Sequence, residues 1–230
     1  MKICLIPARS GSKRIKNKNI KSFFGKPLIS YSIEAAVKSQ LFDNIIVSTD
    51  SKKIQRIAKR YGAETPFLRP KKLSNDFTSD VDVINHYLKL AKQSGVKVQQ
   101  LCYFYPCSPL IKVTTLKKCF NLMIKKNAKK VITVSKLLHP IQRVLKRNNR
   151  QEYTFKDDKF FNTRSQDLKE YYQDAAQCYW YNFKKIRKLE KNNFIKSLAV
   201  VLKKHEYHDL DTYEDLMFLK KLFLINKKKR

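Results

Sequence analysis

Apolar and polar positions in this chain are organised in blocks, and the blocks alternate between two periods. The first, Ile3-Cys4-Leu5-Ile6-Pro7-Ala8, is a continuous apolar run closed by a proline and, shortly after, by Gly11. Such a run suits a strand buried on both faces. Residues 28–37 have the apolar spacing of a helix, and 44–50 read as a second strand ending in the polar triplet Ser48-Thr49-Asp50. Ser51 is a candidate cap for a helix through Arg60, which Tyr61-Gly62 would stop. A short strand is predicted at 65–68, then a polar loop that includes Asp76-Phe77-Thr78-Ser79-Asp80. Next come a helix over 81–91, a buried strand at 101–105 ended by Pro106-Cys107-Ser108-Pro109, a helix near 114–125 and a strand at 130–134.

This β-α-β rhythm predicts an α/β fold with a mostly parallel sheet and helices on both faces. Ligands of such sheets gather beyond the carboxyl ends of the strands, where the loops at Arg9, Asp50 and Pro106 would meet. Between about 136 and 177 the rhythm breaks. This stretch mixes aromatics (Tyr153, Phe155, Phe160, Phe161, Tyr171, Tyr172) with charge around a turn-like Asn148-Asn149-Arg150. It is too long for an ordinary connection and too aromatic for a linker, and an excursion packed on a second subunit would account for it. The chain returns through a strand at 177–181, a strand at 198–202 and a helix over 212–224. One domain, 1–230, holds all of it.

Composition narrows the class. With 43% hydrophobic and 12% aromatic residues the chain folds, and no apolar run approaches the length of a membrane span. The net charge of +31 raises nucleic acid as a partner. The cations are dispersed, however, as in Lys52, Lys53, Arg56 and Lys59 of one helix, and no groove-reading motif is present. The expectation is no nucleic acid and no membrane, with a nucleic-acid-binding module as the distant alternative. Five cysteines without metal or C-x-x-C spacing, and no leader-like segment, point to the cytoplasm.

Three stretches carry candidate chemistry. The loop Arg9-Ser10-Gly11-Ser12-Lys13-Arg14-Ile15-Lys16-Asn17-Lys18-Asn19 is rich in amides, hydroxyls and cations, as a polyphosphate cradle requires, though a solvated basic turn has the same composition. It matches neither a Walker A loop nor G-x-G-x-x-G. Asp209 and Asp211 lie two apart on an extended approach to the last helix, so their carboxylates point to one side and can share a hard divalent cation. Asp211 with Glu214 also makes a capping-box pattern, which needs only local geometry, and Asp211 can serve both roles. Arg164, within Asn162-Thr163-Arg164-Ser165-Gln166-Asp167-Leu168, suits either a substrate carboxylate or an interface ion pair.

Taken in order, Ile6-Pro7-Ala8-Arg9, Ser12-Lys13, Lys18-Asn19, Ser48-Thr49-Asp50, Phe67-Leu68-Arg69-Pro70, Ser108-Pro109 and Asp209-Leu210-Asp211-Thr212 resemble the cytidylyltransferases that activate nonulosonic acids. Arg69-Pro70…Leu73-Ser74, His139-Pro140-Ile141-Gln142-Arg143 and the segment around Arg164 are most similar to the subgroup acting on pseudaminic acid. The resemblance implies a Rossmann-like nucleotidyltransferase fold, a homodimer with a protruding dimerisation arm, and CTP, a nine-carbon 2-keto sugar acid and Mg²⁺ (or Mn²⁺). By the family pattern Arg9, Lys13 and Lys18 hold phosphates with help from Ser12, while Asn19, Arg69, Ser79 and Ser108 lie about the base and ribose. Asp209 and Asp211 bind the metal. Arg9, Lys18, Asp209 and Asp211 carry catalysis, and Tyr105, Gln142, Arg164, Gln166, Asp174 and Gln177 address the sugar acid. Relatives acting on sialic acid usually carry Gln-Pro-Thr-Ser-Pro and Asn-Gly-Ala, where this chain reads Tyr105-Pro106-Cys107-Ser108-Pro109 and Asp174-Ala175-Ala176. Sialic, legionaminic and 3-deoxy-octulosonic acids remain as alternative substrates.

Overall fold

In the computed structural model, which describes residues 1–191 and 195–228, fifteen strands and α-helices follow one another in three layers. In chain order these are β1 (Lys2–Pro7), β2 (Ser22–Phe23), β3 (Lys26–Pro27), α1 (Leu28–Ser39), β4 (Asn44–Ser48), α2 (Lys52–Arg60), α3 (Asp80–Gln93) and β5 (Gln100–Phe104). They continue as α4 (Val113–Lys125), β6 (Lys130–Lys136), β7 (Leu145–Arg147), β8 (Tyr153–Phe155), β9 (Tyr172–Asn182), β10 (Leu198–Leu202) and α5 (Tyr213–Lys228). The main sheet has the order β10-β6-β9-β5-β1-β4. Its pairings are parallel except those of β9, which runs antiparallel to both neighbours.

Alternation along β1 divides the core. Cys4 and Ile6 face the side packed by Ile29 and Ile33 of α1, Ala58 of α2 and Leu116 of α4, while Ile3 and Leu5 face Ile84 and Tyr87 of α3. Both faces of the sheet are thus covered by helices, as the unbroken apolar runs predict. A third cluster joins Ile15 of the loop after β1 to Phe23, Leu28 and Leu110, and to Leu210, Leu216, Leu219 and Leu222 on and before α5. This cluster fastens the final helix beside the first loop and positions everything between them.

The caps follow local chemistry. Ser51 Oγ accepts the Ile54 N–H at 3.4 Å, and Gly62 beyond α2 has φ +93°, a conformation open to glycine. Ser79 and Asp82 form a capping box on α3. The expected strand at 65–68 is absent. Only a bridge between Ile46 and Glu64 forms, and Pro66, lacking an N–H, ends the pairing there. Gln55 Nε2 instead donates to the Thr65 and Phe67 carbonyls at 3.4 and 3.0 Å.

The returning strand is longer than its sequence signal. β9 begins at Tyr172, and its first residues re-pair with the end of β6 (Val134 with Asp174, Lys136 with Tyr172) beyond a register shift. The excursion outside the sheet is therefore 137–171, and at its tip β7 and β8 form a hairpin. Asn148 sets that turn, its carboxamide oxygen accepting from the Arg150 and Glu152 amides at 2.9 and 3.0 Å.

Candidate active site

The loop after β1 owes its course to a few contacts. Ser10 donates to the Asp50 carboxylate through its N–H at 2.8 Å and its hydroxyl at 2.7 Å, tying the loop to the end of β4. Asn17 adopts φ 57°, a left-handed conformation that asparagine tolerates, and starts the short turn presenting Lys18 and Asn19. Asn19 is buried between two partners. Its Nδ2 donates to the Arg9 carbonyl at 2.8 Å, and its Oδ1 accepts from Cys107 Sγ at 3.3 Å. Burial pushes the Cys107 thiol up to about 12, so it remains a protonated donor.

Across from this loop, Ser32 of α1 holds the end of β5. Its hydroxyl donates to the Tyr105 carbonyl at 2.9 Å and accepts the Ser108 N–H at 3.4 Å. Between the two lies a cleft of about 330 Å³. Arg9, Ser12, Lys13, Lys18, Asn19, Arg69, Tyr105, Ser108, Gln177, Asp209 and Asp211 line it. Eleven sequence-predicted residues thus converge although they come from segments far apart in the chain.

Several of the cleft's charges are paired. Asp76 takes Arg9 Nη1 at 2.8 Å and Lys13 Nζ at 2.5 Å, and these cations hold its carboxyl below the usual range. Asp211 takes Arg14 Nη1 at 2.9 Å and lies 3.7 Å from Lys18 Nζ, which donates to the Leu210 carbonyl at 2.7 Å. Arg69 is 4% exposed and its side chain bonds Ser74 Oγ at 3.1 Å through Nε. Burial lowers its guanidinium pKa. A desolvated guanidinium with donors to spare gives stronger, more directional bonds than a solvated lysine.

The capping box before the last helix differs from the one read in the sequence. α5 starts at Tyr213, so the cap is Thr212 and its partner is Asp215. Asp215 Oδ2 accepts the Thr212 N–H at 2.7 Å, and Thr212 Oγ1 accepts the Asp215 N–H at 3.2 Å. Asp211 is thereby released from capping. Leu210, 2% exposed, is buried beneath α5, and both flanking aspartates line the cleft, as the two-residue period of extended chain requires. Two carboxylates suit Mg²⁺ or Mn²⁺. No group of three or more His, Cys, Asp or Glu with metal-holding geometry occurs among the described residues, so an ion here would complete its shell from water and substrate oxygens.

Five predicted residues lie off this cleft. Ser79 caps α3 between the cleft-lining Thr78 and Asp80. Asp174 accepts the Tyr179 hydroxyl at 2.5 Å and the Ala176 N–H at 2.9 Å. Gln142, Arg164 and Gln166 belong to the excursion. There Gln142 Nε2 donates to the Lys169 carbonyl at 3.1 Å, and Arg164 Nε sits 3.6 Å from Asp167. Sequence reasoning missed Asp76, Asp80, Tyr103 and His208, all of which line the cleft. A signal existed for the first two: acids are scarce in a chain with 19 of them against 50 cations, and two fall in one short loop.

Comparison with known proteins gives the family. Residues 3–229 match the family model described as cytidylyltransferase. The chain is 39% identical over 227 residues, 97% of each sequence, to a pseudaminic acid cytidylyltransferase of Campylobacter jejuni subsp. jejuni serotype O:2. It is 37% identical over 133 residues, 58% of this chain and 57% of the other, to the CMP-N,N'-diacetyllegionaminic acid synthase of Legionella pneumophila. Its fold matches that of a CMP:2-keto-3-deoxy-manno-octonic acid synthetase complexed with CTP, with a TM-score of 0.70 at 15% identity over 98% of this chain and 99% of that one. From the strand that opens the sheet to the helix that closes the cleft, the chain belongs to the cytidylyltransferase family.

Proposed function

We propose that this chain transfers CMP from CTP to the anomeric hydroxyl of pseudaminic acid. The hydroxyl oxygen bonds the α-phosphorus, the bond to the β-phosphate oxygen breaks, the hydroxyl proton is lost, and pyrophosphate leaves. The observation that carries the choice of sugar is the full-length similarity to a relative named for pseudaminic acid, against partial coverage by relatives named for legionaminic acid. Arg9, Lys13 and Lys18, with Ser12, bind the triphosphate, and in-line transfer then depends on position and on offsetting charge. Asn19, Arg69 and Ser108 hold the nucleoside, and Ser79, off the cleft, caps α3 next to the cleft-lining Thr78 and Asp80. Asp209 and Asp211 would hold Mg²⁺ or Mn²⁺, which when bound screens phosphate charge and stabilises the departing pyrophosphate. Tyr105 and Gln177 serve the sugar acid directly, and Asp174, off the cleft, acts through the Tyr179 hydroxyl and the Ala176 amide that it holds. Measuring pyrophosphate release from CTP with each purified sugar acid tests the assignment. Turnover is expected with pseudaminic acid, and turnover of sialic, legionaminic or 3-deoxy-octulosonic acid in its absence rejects it.

We also infer a homodimer. Leu138, Ile141, Val144, Leu145, Tyr153 and Phe161 are exposed along the excursion, an apolar surface suited to a second copy, which would bring Gln142, Arg164 and Gln166 toward a cleft. Arg164→Lys keeps the charge and loses the planar fork. It is expected to raise the sugar KM with CTP binding unchanged, and an unaltered sugar response removes Arg164 from the site. Among the described residues no helix is long and apolar enough to cross a membrane, and all five cysteines are free, in keeping with a cytoplasmic enzyme.

Asp76 competes with the nucleotide in this scheme, because it occupies two cations that the triphosphate needs. Asp76→Asn is expected to tighten CTP binding a few-fold in low-salt calorimetry, with the gain shrinking as salt is added. Weaker binding by the variant would mean that Asp76 helps to hold the nucleotide.

A further inference from the structure

The cleft lining contains a carboxylate with no part in the chemistry above. Tyr103, 1% exposed, donates its hydroxyl proton to Asp80 Oδ1 at 2.8 Å, and Tyr105, which lines the cleft, donates to Asp80 Oδ2. An ionised carboxylate only accepts, so both phenol protons are committed to Asp80 and each phenol oxygen keeps lone pairs alone for any other partner. The rings have little freedom. Tyr105 packs edge-on against Tyr103 and against Tyr179, each at 5.5 Å between centroids. Burial and the Asp80 charge raise the pKa of Tyr105, so its proton stays in place. Asp80 opens α3, where the helix N-terminus favours a negative charge. Gln177 on the same cleft is set in a related way: its Nε2 donates to the Glu206 carbonyl at 2.7 Å, leaving its carbonyl end over.

We propose that Asp80 is a positioning residue that fixes Tyr105 as a hydrogen-bond acceptor toward the second substrate. This part of the cleft then selects sugar acids that present an N–H or O–H at that point. The inference rests on the assignment of Tyr105 to the sugar-acid half of the site. Asp80→Asn keeps the shape but adds an N–H donor, which lets a tyrosine reverse its polarity, and Tyr105→Phe deletes the acceptor outright.

Steady-state kinetics of both variants and of the double variant test it, using whichever of pseudaminic, legionaminic and sialic acid the unaltered enzyme turns over best. That choice keeps the outcome separate from the identity of the sugar. Each single variant is expected to raise the sugar KM about tenfold, the size of one lost hydrogen bond, with the CTP KM unchanged. The double variant is expected to be no worse than Tyr105→Phe, because Asp80 acts through that hydroxyl. An unchanged sugar KM in Tyr105→Phe overturns the proposal even if Asp80→Asn does not fold. So does a double variant whose loss is the product of the two single losses.

Discussion

Asp211→Asn is expected to reduce kcat on the order of 100-fold or more while Tm moves by no more than about 2 °C. The substitution nearly preserves shape and removes one charge. Asp211 has no capping duty, since Thr212 and Asp215 cap α5 between them, so the variant leaves the helix start intact. Its carboxylate meets Arg14 and Lys18 at the partly open edge of the cleft, and ion pairs of that kind add little to stability. In the proposed mechanism the same carboxylate is half of the metal site. The Mg²⁺ concentration needed for half-maximal rate is accordingly expected to rise, and stabilisation of the sugar-free protein by Mg²⁺ and CTP in a thermal melt is expected to fall. Normal turnover by a folded variant would leave Asp211 with only its surface ion pairs.

Trp180→Ala is expected to cost roughly 4 kcal/mol and to lower Tm by about 10 °C. Trp180 is fully buried on β9, stacked on Phe42 at 5.2 Å and tilted against Phe120 at 5.0 Å between centroids. Its loss opens a cavity beneath the strand that also carries Gln177 and Ala175 into the cleft. Trp180→Phe is expected to retain most of the stability. The indole N–H finds no hydrogen-bond partner among the described residues, so a smaller ring forfeits area but no bond. Chemical denaturation of both variants distinguishes the cases, and equal losses would mean that the indole contributes more than packing.

Most of the fold was legible because buried parallel strands announce themselves as apolar runs. β1, β4, β5 and β6 are of that kind, and the helices between them carry a clear period. Two parts were obscured for physical reasons. The first three residues of β9, Tyr172-Gln173-Asp174, are polar and exposed, so only its buried later part carries a strand signal. The segment at 65–68 has strand-like composition, but Pro66 cannot extend the pairing begun at Glu64.

The site divides in the same way. Cations and hydroxyls in the first loop, and two aspartates spaced two apart, carry their chemistry in local sequence. Asp76 and Asp80 do not, because their meaning comes from partners distant in the chain: Arg9 and Lys13 for one, Tyr103 and Tyr105 for the other. The capping register was off by one residue, an offset that local pattern cannot resolve when Asp211, Thr212, Glu214 and Asp215 are all capable of capping.

The substrate assignment is tested most directly by competition. Pseudaminic and sialic acid are supplied together at equal concentration with limiting CTP and Mg²⁺, and the nucleotide sugars formed are separated and weighed by mass spectrometry. If this chain activates pseudaminic acid, its CMP conjugate will make up nearly all of the product. A product dominated by CMP-sialic acid would contradict the assignment.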